Sequence, residues 1–177
     1  MAGRRIYLAG PEVFLPDPHA AAAEKKRICA EHGFEGVFPL DADLDLSALA
    51  PEEAGVRISR ANEELMRSSD ALIANMTPFR SPSMDVGTAY EMGFARALGL
   101  PVVGYTNVVL LFADRVAKAL PEGDGMAVED FALGDNLMLD GAVIQSGFTV
   151  VRKAVAEDAL FTDLAGFAEC VRLLAAE

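Results

Sequence analysis

The chain is poor in the residues that usually mark a disulfide, a metal site or a membrane segment. Its 177 residues include no tryptophan, two cysteines and two histidines. The first apolar run, residues 6–10, is cut short by Pro11, far below the roughly 20 residues that a membrane helix needs. Cys29 and Cys170 have apolar neighbours in helical patterns, which favours buried thiols over a disulfide or a metal site. We therefore expect a cytoplasmic protein with no membrane partner.

Positive charge is also scarce. The chain carries 15 basic and 27 acidic side chains, which give a formal net charge of −12. The basic residues are scattered rather than gathered into a stripe. Such a surface repels polyanions, so a nucleic acid polymer is excluded as a partner. Most of the carboxylates are interpreted as solvated surface.

Several catalytic and cofactor motifs are missing. The first strand is followed by Gly10-Pro11-Glu12 instead of G-x-G-x-x-G, and no G-x-x-x-x-G-K-[ST] follows, which argues against dinucleotide and triphosphate sites. The two histidines form no H-E-x-x-H motif, and no G-x-S-x-G elbow occurs. We expect neither a cofactor nor a metal, and the chemistry left to the chain is that of carboxylates.

Apolar runs bounded by turn residues alternate with segments of helical period, which predicts one α/β domain over residues 1–177 with a parallel five-stranded sheet. The predicted strands are 5–9, 36–38, 71–75, 101–105 and 149–152. The predicted helices are 18–31, 51–68, 86–98, 108–120, a short one after 136 that stops near 147, and 163–175 behind an N-cap at Thr162. Ligands of such a sheet gather at the carboxyl ends of its strands, here 10–17, 40–45, 76–85 and 106 onward.

One carboxylate is expected to face inward. Asp85 ends the loop after the third strand and is suited to cap the next helix. Glu91 shares a helical face with Thr88 and Leu98, whereas Arg96 points elsewhere. A desolvated carboxylate without a cation is costly and has a raised pKa, so we favour a functional Glu91. The alternative is a glutamate bonded to backbone at the sheet edge.

Other side chains near this edge have two interpretations each. Asn62 lies on an apolar helical stripe, and it is either a ligand contact or a core amide with its hydrogen bonds satisfied. Asp43 belongs to an alternating acidic trio at 41–45 that is either a solvated turn or part of the site. Tyr7 is either ordinary core or a phenol that donates to a carboxylate, and Phe14 in the next loop can stack on a flat ring. Asn136 either caps the short helix or contacts a ligand.

Four blocks of the sequence resemble the nucleoside 2-deoxyribosyltransferases. They are IYLAGPEVF (6–14), SDALIANMTPFR (69–80), DVGTAYEMGFA (85–95) and NLM (136–138). The resemblance runs in order from the first strand to residue 138. The third block, with NLM downstream, is its most specific part.

The resemblance implies a flavodoxin-like, Rossmann-like sheet with helices on both faces, and an enzyme that moves 2-deoxyribose between nucleobases through a covalent glycosyl-enzyme. Glu91 matches the family's nucleophile, which attacks C1′, and Tyr7 matches the tyrosine that orients it. Asp85 matches an aspartate that binds the sugar hydroxyls. Gly87, in the same block, is included among the expected substrate contacts. The implied substrates are 2-deoxynucleosides and free nucleobases.

The resemblance also implies a homo-oligomer. Asn136 and Met138 match residues that a neighbouring subunit lends to the site, and Phe14 matches the aromatic beside the base. Asn62 stands where the best-known bacterial pattern has an aspartate, and Asp43 where it has a glutamine that contacts the base. We hypothesise that Asp43 takes over part of base recognition.

Two other functions compete with base exchange. One is a hydrolase that cleaves 2-deoxynucleoside 5′-monophosphates, with water in place of the acceptor base. Glu12 and Asp17 in the first loop are expected to repel a phosphate, with Arg80 as the local cation that would reverse this. The other is a non-catalytic nucleoside-binding module, against which the pairing of Glu91 with Tyr7 argues.

Overall fold

The structure is a computed structural model that describes residues 3–177, and its centre is a five-stranded parallel sheet. The strand order is β2-β1-β3-β4-β5. The strands are β1 (Arg5–Ala9), β2 (Glu35–Val37), β3 (Ala71–Asn75), β4 (Val102–Thr106) and β5 (Val151–Arg152). This order is that of flavodoxin-like folds, so the fold class expected from the sequence is confirmed.

Six helices connect and cover the strands. They are α1 (Pro18–Glu31), α2 (Pro51–Arg67), α3 (Val86–Ala97), α4 (Phe112–Ala119), α5 (Leu137–Ile144) and α6 (Ala165–Ala175). Short 3₁₀ turns lie at Pro11–Phe14, Pro39–Asp41 and Glu157–Ala159. Proline opens both α1 and α2, where its missing N–H costs nothing. None of the helices in the described part of the chain is long and apolar enough to cross a bilayer.

The core lies on both faces of the sheet because successive strand residues point to opposite sides. Ile6 and Leu8 of β1 pack under α1 and α6, whereas Tyr7 and Ala9 pack under the face covered by α2, α3 and α5. Cys29 and Cys170 are free thiols buried in the first of these layers, as the sequence predicts.

Two helices begin later than their patterns predict. Helix α4 starts at Phe112 instead of residue 108, and the Leu110 carbonyl accepts a hydrogen bond from the Arg115 guanidinium at 2.6 Å. Helix α6 starts at Ala165 and takes no side-chain cap from its N-cap residue, so the predicted cap at Thr162 is wrong. The Asp163 carboxylate instead accepts from the Ala165 amide at 2.9 Å.

The strand order places two loops side by side. Strand β1 pairs with β2 on one side and with β3 on the other, so the chain changes direction across the sheet between β1 and β3. The loop after β1, which holds the Pro11–Phe14 turn, therefore lies beside the loop that leads from β3 into α3. Ligands of doubly wound sheets bind at this point.

Candidate active site

A cavity of about 320 Å³ opens where these two loops meet. This volume is within the range of sites for small organic ligands. The cavity is mostly apolar, and its only charged lining side chains are two carboxylates. The lining residues are Gly10, Val13, Phe14, Pro39, Leu40, Ile58, Asn62, Asp85, Gly87, Thr88 and Glu91.

Glu91 and Tyr7 are joined at the wall of this cavity. The Tyr7 hydroxyl donates to Glu91 Oε1 at 2.6 Å, and the tyrosine ring is fully buried in the sheet layer below. Tyr7 comes from β1 and Glu91 from the second turn of α3, so the bond connects the sheet to the helix above it. Both sequence interpretations of Tyr7 are therefore observed, because its ring belongs to the core and its phenol donates to a carboxylate.

The environment of Glu91 favours its neutral form. Burial raises the pKa of Glu91 to about 7, the Tyr7 hydrogen bond opposes that rise, and the negative charge of Asp85 adds to it. Burial and the neighbouring Glu91 charge also raise the pKa of the Tyr7 phenol, which therefore keeps its proton and remains a donor. Near neutral pH, Glu91 is thus divided between its acid and carboxylate forms.

Asp85 caps the helix that carries Glu91. Its Oδ2 accepts from the Thr88 amide at 2.9 Å and from the Thr88 hydroxyl at 3.0 Å. Gly87 lies between them, and a Cβ there would come within 3.0 Å of Asp85 Oδ2. Both bonds use one oxygen, so Oδ1 stays available to the cavity.

Asn62 also lines the cavity and comes from α2. Its Oδ1 is buried and has no hydrogen-bond partner within the described residues. A buried carbonyl without a donor is costly in a folded protein, so the site is suited to a ligand that supplies one.

Phe14 forms the rim of the cavity. Its ring is 56% exposed and stacks on Phe79, with centroids 5.4 Å apart and an interplanar angle of 9°. The expectation that this ring stacks on a flat ligand stays a prediction.

Besides the buried Tyr7, three residues singled out in the sequence lie outside the cavity lining. Asp43 is exposed in the loop after the Pro39–Asp41 turn. Asn136 caps α5, where its Oδ1 accepts from the Met138 amide at 3.0 Å, and its Nδ2 donates to Glu129 Oε1 at 2.8 Å. The Met138 side chain is 71% exposed.

A buried ionic cluster under the first loop was not found from the sequence. Glu12 Oε1 accepts hydrogen bonds from Lys25 Nζ, from Asn75 Nδ2 at 2.9 Å and from the Tyr105 hydroxyl at 3.0 Å. Glu12 and Lys25 are both at most 1% exposed. The cluster fastens the Pro11–Phe14 turn, and with it the cavity rim, to the ends of β3 and β4.

The cluster corrects one inference from the sequence. Glu12 is buried against the Lys25 cation, so the expectation that its charge repels a phosphate is wrong. Asp17 is exposed and caps α1 by accepting from the Ala20 amide, and its effect on a phosphate stays a prediction. The burial of Lys25 could have been predicted from helical spacing, because Lys25 lies on the buried stripe of α1 with Ala22 and Cys29.

A second buried ion pair supports the loop before Asp85. Asp135 Oδ2 accepts from Arg115 Nη2 at 3.1 Å and from the Met84 amide at 3.0 Å, and Oδ1 accepts from the Asn136 amide at 2.8 Å. One carboxylate therefore fixes both the approach to Asp85 and the start of α5.

The strand order and the cavity define a flavodoxin-like protein with a carboxylate site at the switch point of its sheet. Residues 6–138 match the family model described as nucleoside 2-deoxyribosyltransferase. The fold is similar to that of a 2-desoxiribosyltransferase from Leishmania mexicana, with a TM-score of 0.65 and 30% identity over 94% of this chain and 97% of that one. The chain belongs to the nucleoside 2-deoxyribosyltransferase family.

Two further proteins are similar to this chain. An uncharacterised protein of Schizosaccharomyces pombe is 30% identical over 164 residues, which cover 80% of this chain and 78% of that protein. A 2-deoxyribosyltransferase of Bacillus psychrosaccharolyticus is 19% identical, covers 78% of this chain and 82% of its own, and shares the fold with a TM-score of 0.53.

Proposed function

We propose that this protein transfers 2-deoxyribose from one nucleobase to another through a covalent intermediate on Glu91, with retention of configuration at C1′. The observation that carries the proposal is the Glu91 carboxylate at the cavity wall, oriented by the Tyr7 hydroxyl at 2.6 Å. No lysine, arginine or histidine of residues 3–177 forms an ion pair with Glu91. A carboxylate that is partly desolvated and held by one neutral donor is suited to act as a nucleophile.

The reaction proceeds by two substitutions at the anomeric carbon. Tyr7 occupies Oε1, so Oε2 attacks C1′ while the C1′–N bond breaks and the departing base takes up a proton from solvent water. The ring nitrogen of a second base then attacks C1′, breaks the ester to Glu91 and loses its proton. Each step inverts C1′, so the two together restore the β configuration.

Substrate contacts follow from the remaining lining residues. Asp85 Oδ1 accepts a sugar hydroxyl, and Gly87 leaves room for the sugar against the start of α3. Phe14 stacks on the base, and the unpartnered Asn62 Oδ1 accepts one of its N–H groups. Asp43 remains a hypothesis for base recognition, and an Asp43→Asn variant with unchanged base selectivity and rate would count against it.

A second copy of the chain completes the site by lending Asn136 and Met138. This is supported by the exposure of Met138 and by the absence of both residues from their own cavity. Glu91→Ala and Asn136→Ser are each expected to be inactive, and serine preserves the helix cap. Mixing the two variants under exchange conditions then restores activity, whereas a site confined to one chain stays inactive in the mixture.

The charge of the cavity argues against the competing hydrolase of 2-deoxynucleoside 5′-monophosphates. Its lining contains two carboxylates and no basic residue, which favours an uncharged nucleoside over its 5′-phosphate. Arg80, the local cation, has its guanidinium over the rings of Phe14 and Phe79.

The test is a chromatographic assay with 2-deoxyinosine and free adenine. Formation of 2-deoxyadenosine supports transfer, whereas free hypoxanthine without transfer supports hydrolysis. Unchanged substrates with ligand-dependent thermal stabilisation indicate a binding module. Glu91→Ala is expected to abolish turnover, with the exposed Glu64→Ala in α2 as a matched control that retains it. Full activity of Glu91→Ala would remove that residue from the nucleophile role.

A further inference from the structure

The ring of Phe14 packs on a second aromatic ring, which in turn packs on a third ring from the C-terminal part of the chain. Phe14 stacks on Phe79. Phe79 in turn meets Phe161 edge to face, with centroids 5.8 Å apart and an interplanar angle of 89°. We call Phe14, Phe79 and Phe161 the aromatic stack. Phe161 lies outside the region 6–138 that matches the family model.

Arg80 closes the stack from the exposed side. Its guanidinium carbon is 4.5 Å from the centroid of Phe79 and 5.2 Å from that of Phe14, which is cation–π distance to both rings. Its backbone has φ of 55°, in the left-handed region that a non-glycine residue rarely adopts. Such strain persists where the surroundings enforce it, often beside a binding site.

Phe161 is fixed in place by the end of a central strand. Asn107 follows β4, is buried, and its Nδ2 donates to the Leu160 carbonyl at 2.9 Å and to the Asp163 carbonyl at 3.0 Å. The Asn107 amide itself donates to Thr77 Oγ1 at 3.0 Å. The segment that carries Phe161 is therefore anchored to the same sheet edge as the cavity.

We propose that Phe79, Arg80 and Phe161 are positioning residues that fix the plane of the Phe14 ring for stacking on the nucleobase. The inference rests on the proposed function, in which Phe14 contacts the base. Without support, a ring with more than half its surface exposed turns freely, and ordering it on binding reduces affinity. Packed against Phe79 and Arg80, the ring is ordered before the base arrives. The residues act on base affinity and leave the chemistry at Glu91 unchanged.

The experiment compares base binding and turnover in four variants. Phe161→Leu removes the edge contact, Phe161→Tyr keeps the ring, and Arg80→Gln removes the cation from an exposed position where folding is not at risk. Phe148→Leu is the matched control, because Phe148 is a partly buried core aromatic whose contacts are with the two core layers. Binding of adenine, hypoxanthine, cytosine and thymine is measured by calorimetry, and KM for the acceptor base and kcat by the transfer assay.

We expect Phe161→Leu and Arg80→Gln to raise the Kd and KM for the base by about 2- to 10-fold with kcat nearly unchanged. A change of this size corresponds to the loss of one aromatic or cation–π contact. Phe161→Tyr should retain the wild-type affinity for the base. Phe148→Leu should lower Tm without a change in base affinity. Wild-type affinity in both Phe161→Leu and Arg80→Gln overturns the inference, whatever their stability.

The inference and the proposed function fail separately in this experiment. If the wild-type protein binds a base but forms no transfer product, the proposed function is wrong, and the Kd comparison still decides the role of the stack. If the wild-type protein binds none of the four bases, the inference is overturned as well.

Discussion

Replacing Tyr7 with phenylalanine removes one hydroxyl from the site and leaves its ring in the core. That hydroxyl donates to Glu91 Oε1 at 2.6 Å and opposes the effect of burial, which raises the Glu91 pKa to about 7. Without the hydroxyl, the carboxylate loses its donor and the pKa of Glu91 rises further. As a result, a smaller fraction of Glu91 is ionised at any given pH.

The size of the effect follows from the strength of the lost bond. A hydrogen bond to a charged group contributes about 1.5 to 3 kcal/mol, and about 1.4 kcal/mol corresponds to one pH unit. We therefore expect the acid limb of the pH profile of kcat/KM to move about one to two pH units to higher pH in Tyr7→Phe. At pH 6 this is an additional loss of about 10- to 100-fold that shrinks as the pH rises above 8.

The assay is the initial rate of base exchange from pH 5 to pH 9. Tyr90→Phe is the matched control. Tyr90 precedes Glu91 in the sequence, but its hydroxyl donates to Glu63, so the acid limb of Tyr90→Phe should keep the wild-type position. An acid limb that stays in place in Tyr7→Phe, or moves to lower pH, would refute the assignment of Tyr7 as the donor that stabilises ionised Glu91.

Three further predictions concern stability and reactivity. Glu91→Gln should raise the free energy of unfolding by about 1 to 3 kcal/mol at pH 8 and leave it unchanged at pH 4. The reason is that a carboxyl whose pKa in the folded state is raised to about 7 loses its stabilising contribution as the pH rises to that value. An equal effect at both pH values in urea titrations contradicts this. Lys25→Met should lower the free energy of unfolding by about 3 kcal/mol or more by leaving a buried carboxylate without its cation, whereas Lys26→Met, in an exposed pair, costs under about 1 kcal/mol. Burial raises the pKa of the Cys29 and Cys170 thiols to about 12, so both should resist a thiol reagent at pH 8 until urea unfolds the chain; rapid labelling of the native protein is the opposing result.

Spacing in the sequence was sufficient for the sheet and for the inward position of Glu91, because period-2 and period-3.6 patterns carry strong signals in β1 and α3. Spacing left Tyr7 as either core or a donor to a carboxylate, and its pairing with Glu91 was implied by the resemblance to the family. The start of α4 was not predictable, because the Arg115 side chain bonds the preceding loop and overrides the helical pattern of residues 108–111.

Long-range partners account for the rest. From sequence alone, a carboxylate in a loop is interpreted as a solvated charge. Glu12 instead pairs with Lys25, which lies on α1. The same holds for Phe161, whose contact with Phe79 joins positions 82 residues apart, and for Asp43, whose place outside the cavity lining depends on the path of an irregular loop. Local spacing does not specify such contacts.

The bond between Tyr7 and Glu91 has a consequence for folding. The two residues are 84 positions apart, and they meet only after β1 has paired with β3 and α3 has packed on that sheet. Contacts of such sequence separation form late and slowly, because the intervening chain must first be ordered. Recovery of activity during refolding should therefore lag behind recovery of helical circular dichroism, which makes the Tyr7–Glu91 pair a reporter of the completed sheet.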